Sequence, residues 1–297
     1  DFCLSRGLGD VYKRQVIIKS RNLLVKKENF MYSDYHLHTN FSGDSDAPME
    51  NMIEKGIEMG LKIMCFTEHY DLDYPEIGIN FEVNTREYLC KFLKLKEQYK
   101  EQITLYFGIE LGLQPHLAEA YHNYLREYPF DFVIGSSHLV NHMDPYFPDL
   151  FQNRDEKAAY YDYFQTSLDN VSAFSEMDIY GHLDYIVRYG PNKNRDYNYH
   201  KYREIIDELL KALVEKGIGL ECNTAGFKYG LGHPHPTEEI LVRYRELGGE
   251  IITLGSDAHS PEHIAFAFEK GAEILKNCGY HYYTVFEKRE PKFIKLE

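Results

Sequence analysis

Seven short apolar runs that alternate with helical segments constrain the fold of this chain more than any other feature. The runs fall near residues 31–37, 61–67, 103–111, 130–137, 178–183, 217–223 and 249–256. Apolar runs of this length between amphipathic helices predict an α/β fold, with parallel strands joined by helical crossovers. For the 267 residues from Met31 to Glu297, closure into a barrel is favoured over an open, doubly wound sheet.

Start and stop signals mark several of the helices between these runs. Helical patterns occupy residues 49–60, 85–100, 200–217, 236–249 and 260–279. Gly217 ends the third of these segments, and glycine commonly terminates helices. In the last segment Ser260 is the predicted N-cap, Pro261 the first helical residue and Gly279 the stop.

Histidine or carboxylate side chains follow most of the apolar runs at the point where the run stops. These residues are His36, His38, Glu68, His69, Glu110, His138, His182, Asp257 and His259. The carboxyl ends of parallel strands meet at one rim of a barrel, where barrel enzymes carry their active sites. Imidazole and carboxylate groups bind borderline metals such as Zn, Mn and Fe. The pattern therefore predicts a multinuclear metal site at this rim.

Each of these residues taken alone has a simpler interpretation. His36 and His38 lie two residues apart on a strand and so point to one face, where they can chelate an ion or be half-exposed. Asp44 lies in the loop FSGDSDAP, where an aspartate is usually a cap or turn residue. Glu110 follows an apolar strand, and its burial there is costly unless it is paired or binds a metal.

The remaining histidines fall mostly in helices or polar loops and are interpreted as solvated or capping side chains. They are His116, His122, His142, His200, His233, His235, His263 and His281. His233 and His235 are exceptions, because both can line the rim of the predicted site. His233, together with Asn223 at the end of the sixth apolar run, is a predicted substrate-binding residue.

Charge and cysteine content exclude several classes of protein. A net charge of −14 makes the chain a poor general binder of nucleic acids. The apolar runs are too short to predict a membrane span. The five scattered cysteines form no CxxC pair, which indicates free thiols in a reducing compartment and predicts a cytoplasmic protein. The oligomeric state stays open.

Residues 1–30 differ from the rest of the chain in composition. They contain seven Lys or Arg residues against three Asp or Glu residues, the reverse of the overall balance. They lack the long apolar core and cleavage site of a secretory signal. We interpret them as a non-native or disordered extension, with a functional arm as the alternative, and residues 31–297 as one barrel domain.

The motifs HLH, TEH, a strand-end glutamate, SSH, GHLD and SDAH occur in this order and together resemble the polymerase and histidinol phosphatase (PHP) superfamily. The stretches DYHLHTNFSGD, GIELGLQ, FDFVIGSSH and LECNTAGFKYGLGHPHP resemble its histidinol-phosphatase branch. The resemblance covers nearly all of residues 31–297. It implies a distorted (β/α)7 barrel, similar to a TIM barrel, with a trinuclear metal site.

The resemblance also implies a ligand set for three divalent ions, which would be Zn, Mn or Fe. One ion would bind His36, His38, Glu110 and Asp257, a second would bind Glu110, His138 and His182, and the third would bind Asp44, His69 and His259. Several relatives have a histidine at the position of Asp44, which leaves the third ion's identity open because carboxylates favour Mn or Fe. Glu68 is a candidate for a ligand or for a residue that supports one.

Clustered metal ions can convert water to hydroxide near neutral pH and can neutralise the charge of a phosphoryl group. No Ser or Cys lies in a convincing setting for a nucleophile. We therefore expect hydrolysis of a phosphate monoester, with Glu110, Asp257 and His259 as catalytic residues. The resemblance narrows the substrate to L-histidinol phosphate, a small phosphorylated amino alcohol of histidine biosynthesis.

Two alternatives stay open at this point. One is another PHP phosphoesterase, of a nucleotide or 3′–5′ exonuclease type, and the other is a non-catalytic metal-binding barrel. For a phosphate substrate, Arg188 and Lys228 are the predicted phosphate-binding residues, because each follows a strand end that opens on the same rim. For both residues the alternative is an ordinary surface salt bridge.

Overall fold

The computed structural model describes residues 33–75, 78 and 80–296. The extension predicted at residues 1–30 lies outside the described residues. Among the helices of the described ranges, none has the length and apolar character that crossing a membrane requires.

Seven parallel strands form the central sheet in the order in which they occur along the chain. They are β1 (Ser33–Leu37), β2 (Ile63–Tyr70), β3 (Thr104–Gly112), β4 (Phe132–Ser136), β5 (Ile179–Tyr180), β6 (Gly219–Asn223) and β7 (Ile252–Gly255). The first and last strands meet, because the His38 amide donates to the Ala258 carbonyl at 2.9 Å and the Ala258 amide donates to the His36 carbonyl at 3.3 Å. The predicted (β/α)7 barrel is confirmed, and this closing contact lies at its carboxyl rim.

Helices lie between the strands and bury one apolar face each. They are α1 (Met49–Glu58), α2 (Thr85–Tyr99), α3 (Ala118–Glu127), α4 (Glu156–Ala173), α5 (Arg203–Lys216), α6 (Ala225–Lys228), α7 (Glu238–Glu246) and α8 (Phe268–Asn277). Gly217 follows α5 with a φ angle of 70°, a left-handed conformation that glycine adopts without steric cost. The predicted stop at Gly217 is therefore confirmed.

The helix predicted over residues 260–279 is wrong in its first half. Pro261–His263 form a single 3-10 turn, and α8 begins only at Phe268. Ala265 and Ala267 have φ angles of 50° and 54°, and the Ala265 amide donates to the carboxylate of Asp34 at 2.9 Å. Left-handed residues interrupt a right-handed helix, and the contact with Asp34 is a tertiary one that local cap signals do not reveal.

An antiparallel hairpin of β8 (Tyr282–Glu287) and β9 (Glu290–Lys295) follows the barrel and was not predicted. The hydroxyl of Tyr35 donates to the Phe286 carbonyl at 2.8 Å. The amide of Lys288, in the hairpin turn, donates to Asp131, the residue before β4, at 3.1 Å. The hairpin therefore covers the amino end of the barrel and leaves the carboxyl end to the predicted site.

Candidate metal centre

Glu110, on β3, lies at the centre of the cluster and is fully buried. Its Oε1 atom is 3.0 Å from Nε2 of His182 and 3.3 Å from Nε2 of His138. The hydroxyl of Ser136 also donates to Oε1, at 2.6 Å. One oxygen of this carboxylate thus faces the residues that follow β4 and β5.

The second oxygen of Glu110 faces a different set of histidines. Oε2 is 3.2 Å from Nε2 of His36, 3.4 Å from Nε2 of His38 and 3.2 Å from Nδ1 of His69. A carboxylate with separate sets of imidazoles on its two oxygens has the arrangement of a bridging ligand between two cations. This position results from the strand order, since β3 lies between β2, which contains His69, and β4, which precedes His138.

Asp257 and Asp44 complete the cluster, and each lies near two or more of its histidines. Oδ1 of Asp257 is 3.8 Å from Nε2 of His36 and 3.6 Å from Nε2 of His38. Oδ2 of Asp44 is 3.1 Å from Nε2 of His259 and 3.6 Å from Nε2 of His69. The structure therefore brings together all nine residues that were predicted as metal ligands.

The backbone of Asp257 has a φ angle of 52°. This conformation is uncommon for residues other than glycine and occurs often at functional sites. Asp44 in turn is not the cap of the following helix, because Pro48 occupies that position at the start of α1. The cap interpretation of Asp44 is thus replaced by a contact with two histidines.

Several buried atoms of the cluster have no hydrogen-bond partner within the described part of the chain, despite these short separations. They are Nε2 of His36, His38 and His259, Nδ1 of His69 and His182, and Oε2 of Glu110. Unpaired buried polar atoms are rare in native proteins and usually indicate an ion or water. Three or more ligand atoms lie within 4.8 Å of one another in four overlapping groups. The donor set, imidazole with carboxylate, therefore fits divalent transition-metal ions.

The four groups share members, as expected of ions that lie close together. They are His38, His69 and His259; His36, His38 and Glu110; Glu110, His138 and His182; and His69, Asp71 and His138. The first three correspond closely to the three implied ligand sets. The fourth adds Asp71, a residue that the sequence did not single out.

Opposing effects set the charge states of the cluster. Burial by itself would raise the pKa of Glu110, but the neighbouring imidazoles of His36, His138 and His69 hold it well below its usual value. Burial lowers the pKa of His38, and the nearby imidazoles of His69 and His259 lower it further. Burial would also lower the pKa of His69, but the carboxylates of Asp44 and Glu110 raise it to about 9. The carboxylates thus create a negative field that favours cations at the imidazoles, and a metal would compete there with protons.

Carboxylates behind the cluster orient the imidazoles. Nδ1 of His36 is 2.7 Å from Oε1 of Glu221, and Nδ1 of His138 is 2.5 Å from Oδ2 of Asp71. A carboxylate on the second ring nitrogen is the usual support of a metal-binding histidine. Sequence reasoning missed Glu221 and Asp71. Glu221 lies two residues before Asn223, and Asp71 two residues after His69, so the period of two along a strand was the signal for both.

Both oxygens of the buried Glu68 carboxylate accept hydrogen bonds from the loop that follows β1. Its oxygens accept hydrogen bonds from the Thr39 hydroxyl at 2.6 Å and the Ser42 hydroxyl at 2.6 Å. Ser42 in turn lies 3.1 Å from Nδ1 of His38. Of the two predicted roles for Glu68, the geometry favours support of a ligand over direct ligation.

Both predicted phosphate-binding residues lie against Asp257. A terminal nitrogen of Arg188 is 3.4 Å from Oδ2 of Asp257, and the Lys228 ammonium donates to the Asp257 carbonyl at 3.3 Å. The Arg188 side chain is 8% exposed, so it is not an ordinary surface salt bridge. The rings of Tyr185 and Tyr229 lie 4.2 Å and 4.4 Å from its guanidinium carbon. Stacked aromatic rings fix the plane of a guanidinium group.

The two other predicted substrate-binding residues are buried beside the cluster. The amide of Asn223 donates to Glu221 at 3.1 Å and accepts from the Ala225 backbone at 2.9 Å. These contacts occupy the amide on both sides, which favours a structural role for Asn223. Nδ1 of His233 is 2.7 Å from the Pro234 carbonyl, and its Nε2 has no hydrogen-bond partner among the residues that the structure describes.

A family model for the PHP domain matches residues 34–225. The chain belongs to the PHP domain family. The predicted resemblance is thereby confirmed. Histidinol-phosphatase of Lactococcus lactis is 32% identical to this PHP domain protein over 257 residues, which cover 85% of the chain and 93% of the relative. A probable histidinol-phosphatase of Clostridium acetobutylicum is 33% identical over 267 residues, which cover 89% of the chain and 100% of the relative.

A solved structure of similar fold carries ligands that bear on this PHP domain. It is histidinol phosphate phosphatase of Lactococcus lactis in complex with zinc, L-histidinol and phosphate. The two structures superimpose with a TM-score of 0.82 at 31% identity, over 88% of this chain and 98% of the other. The rim that holds the histidines and carboxylates is thus part of a barrel that carries zinc in a related protein.

Proposed function

We propose that this PHP domain protein is a metal-dependent phosphatase that hydrolyses L-histidinol phosphate to L-histidinol and phosphate. The observation that carries the proposal is Glu110, whose two oxygens face separate sets of imidazoles. The relatives of similar length are named histidinol-phosphatases, and the related structure binds L-histidinol and phosphate.

The proposed centre holds three divalent ions. Glu110 would be shared between the set of His36, His38 and Asp257 and the set of His138 and His182, while Asp44, His69 and His259 would hold the third ion. When bound, such ions activate a water molecule for attack on phosphorus and neutralise the charge on the phosphoryl oxygens. Zinc is the metal of the related structure, and the carboxylate of Asp44 keeps Mn and Fe as candidates.

The residues of the chain contribute binding and orientation. Glu110, Asp257 and His259 are the proposed catalytic residues because they would contact the reacting centre through the ions they hold. Glu221 and Asp71 fix the ring orientation of His36 and His138, which keeps the ligand geometry independent of substrate.

Substrate phosphate is proposed to bind next to this centre. Arg188, whose guanidinium plane is fixed by its aromatic neighbours, would donate two hydrogen bonds to the phosphate, and Lys228 would add a second positive charge. Burial lowers the pKa of the Lys228 ammonium, while the carboxylate of Asp257 opposes that effect.

The location of the protein is part of the same proposal. Cys65, Cys90, Cys222 and Cys278 are free thiols in the described part of the chain, which is consistent with the cytoplasm. The substrate would be a small phosphorylated amino alcohol, without a nucleic-acid or membrane partner.

Phosphate release from L-histidinol phosphate tests the activity, beside a panel of sugar, nucleotide and amino-alcohol phosphates. The protein is assayed after its metal content has been measured, with the Glu110→Gln variant as a control for contaminating phosphatases. We expect the highest kcat/KM for L-histidinol phosphate. A preference for nucleotides or phosphodiesters would favour another PHP phosphoesterase, and no hydrolysis by folded, metal-loaded protein would favour a non-catalytic barrel.

Elemental analysis of protein purified without chelator tests the number of ions. We expect up to three divalent ions per chain, with loss of activity when a chelator removes them. One ion or none per chain in a metal-replete preparation would contradict the trinuclear centre.

A further inference from the structure

Two histidines beside the proposed metal centre each have a buried ring nitrogen that no group in the described residues contacts by hydrogen bond. His235 is fully buried and His233 is 8% exposed, and Nε2 lacks a partner in both. Their ring centroids lie 6.2 Å apart. Neither histidine belongs to the four groups of ligand atoms that could hold an ion, so the metal centre does not explain them.

Acceptors on the other ring nitrogens fix the tautomers of both histidines. Nδ1 of His235 is 2.5 Å from Oδ1 of Asp184, and Nδ1 of His233 is 2.7 Å from the Pro234 carbonyl. A carboxylate and a carbonyl only accept, so each Nδ1 carries hydrogen and, in a neutral ring, Nε2 presents a lone pair. Burial lowers the pKa of His235 although the Asp184 carboxylate opposes it, which favours the neutral form of this ring. The result is two buried acceptors for which residues 33–75, 78 and 80–296 supply no donor.

Backbone contacts place this pair at the edge of the metal centre. The amide and carbonyl of His235 pair with those of Asn223 at 2.8 Å each. The side chain of Asn223 contacts Glu221, which supports the proposed ligand His36. The pair therefore lies beside the end of β6.

Asp184 links the pair to the proposed ligands on the other side. It lies two residues after His182 and four before Arg188. Its Oδ2 accepts from the Thr237 amide at 3.1 Å, so the carboxylate is held on both oxygens. The positive charge of Arg188 is close enough to His235 to add to the effect of burial in lowering its pKa, so the acceptor pair lies near the proposed phosphate-binding arginine.

We propose that His235 and His233 form an amine subsite, in which their Nε2 atoms accept hydrogen bonds from the protonated amino group of the substrate. The inference rests on the proposed function, because that function supplies an amino alcohol as the leaving group. A primary ammonium carries three donors and no acceptor, which matches a pair of acceptors that lack donors. The Asp184 carboxylate behind His235 adds a negative charge that favours a cation there.

The subsite gives the enzyme a means of selection among phosphate monoesters. A monoester without an amine would leave two buried acceptors unpaired, and buried polar groups left without partners disfavour the wrong substrate strongly. His235 and His233 are specificity-determining residues in this proposal, and the chemistry at phosphorus stays with the metal centre.

The test compares L-histidinol phosphate with 3-(imidazol-4-yl)propyl phosphate, which keeps the imidazole and the phosphate but lacks the amine. We expect the wild-type protein to prefer the amine by at least about tenfold in kcat/KM, as for a hydrogen bond to a charged group. In His235→Gln and His233→Gln variants this preference should fall by about tenfold, because kcat/KM for L-histidinol phosphate should decrease more than kcat/KM for the analogue. His200→Gln, at an exposed position, serves as a control for the substitution and should keep the wild-type preference.

Three outcomes would overturn the subsite. The first is a wild-type protein that hydrolyses L-histidinol phosphate and the analogue equally well, which leaves the proposed function intact. The second is an equal loss on both substrates in both variants, which shows a structural role. The third is the absence of hydrolysis of L-histidinol phosphate by metal-loaded wild-type protein, which overturns the proposed function first.

If a variant does not fold, two measurements on the wild-type protein test the subsite instead. One is its preference for L-histidinol phosphate over the analogue, and the other is whether L-histidinol inhibits it more strongly than the alcohol that lacks the amine.

Discussion

The two ends of the barrel both bury carboxylates, but they satisfy them in different ways. At the amino end, the carboxylate of Asp178 accepts from the Val133 amide at 2.8 Å and pairs with Arg289 at 2.5 Å. Asp131 accepts from the Phe107 amide at 3.0 Å and from the Lys288 amide at 3.1 Å. Neither side chain has a buried oxygen without a partner among the described residues.

The carboxyl end also contains buried carboxylates, but the protein does not supply hydrogen-bond partners for all of their oxygens among the described residues. Glu110 Oε2 and the ring nitrogens around it lack hydrogen-bond geometry although they lie within 3.2 to 3.4 Å of one another. Burial alone therefore does not distinguish a structural carboxylate from a ligand. The distinction lies in whether the protein itself supplies the partner, because an unpaired buried group is costly unless something else binds it.

The largest effect is expected from matched carboxylate-to-amide substitutions at the two ends. Glu110→Gln should lower kcat/KM by at least about a hundredfold with the fold kept, since a neutral amide is a poor bridge between cations. Asp178→Asn should keep the activity of the folded protein and lower only its stability. Phosphate release, metal content and circular dichroism of both variants check this, and a folded, metal-loaded Glu110→Gln protein with more than a tenth of wild-type turnover would contradict the bridge.

The contrast between the ends also shows what the sequence can predict. Parallel strands place their carboxyl ends at one rim, so the residues at the ends of apolar runs, such as His36 and Glu110, were predictable as neighbours without any coordinates. Their separations depend on register and barrel closure, which are tertiary properties. The support from Glu221 was not predicted because its role depends on a contact with His36, which lies far away in the sequence.

The amino end was less predictable because its signals are tertiary or atypical. The hairpin turn uses Lys288 and Arg289, with φ angles of 53° and 65°. Turns with two positive φ angles normally contain Asn-Gly or Asp-Gly, so Lys-Arg gave no turn signal. Similarly, the break before α8 depends on the contact between Ala265 and Asp34 in β1, two residues far apart in the sequence.

A second test concerns the positive charges of the carboxyl end. Arg188→Ala should lower kcat/KM by at least tenfold, or about 1.4 kcal/mol, because the phosphate loses a charged donor. Lys228→Ala should have an equal or smaller effect, since lysine supplies a point charge without a fork. Steady-state kinetics with metal content measured in parallel distinguish phosphate binding from loss of ions, and near-wild-type kcat/KM in both variants would remove the two residues from the site.

At the amino end, Arg289 is the counterpart of Arg188, and its removal should lower stability without changing activity. Arg289→Ala leaves the Asp178 carboxylate buried without its charged partner and should lower the free energy of unfolding by about 1 kcal/mol at neutral pH. This figure is reduced for the partial exposure of the arginine. Urea denaturation gives the change, and kcat/KM of the folded variant gives the comparison with Arg188→Ala. A loss of activity without a loss of stability would mean that the two ends are coupled.

The smallest effect is the pH dependence of that stability difference. Burial raises the pKa of Asp178 to about 6, with Arg289 opposing the increase, so removal of Arg289 should raise it further. At pH values between the Asp178 pKa of the wild type and the higher Asp178 pKa of the variant, the native variant binds more protons than the native wild type. The stability of the variant therefore falls more than that of the wild type as pH rises through this interval. The advantage of the wild type should therefore be present at pH 7 to 8 and fade as pH falls through about 6, by a few tenths of a kcal/mol to about 1 kcal/mol. Urea denaturation of both proteins between pH 5 and pH 8 measures the difference between their free energies of unfolding. Groups that titrate in the same way in both proteins cancel in this difference. A difference that stays constant over this range would show that Asp178 does not titrate there.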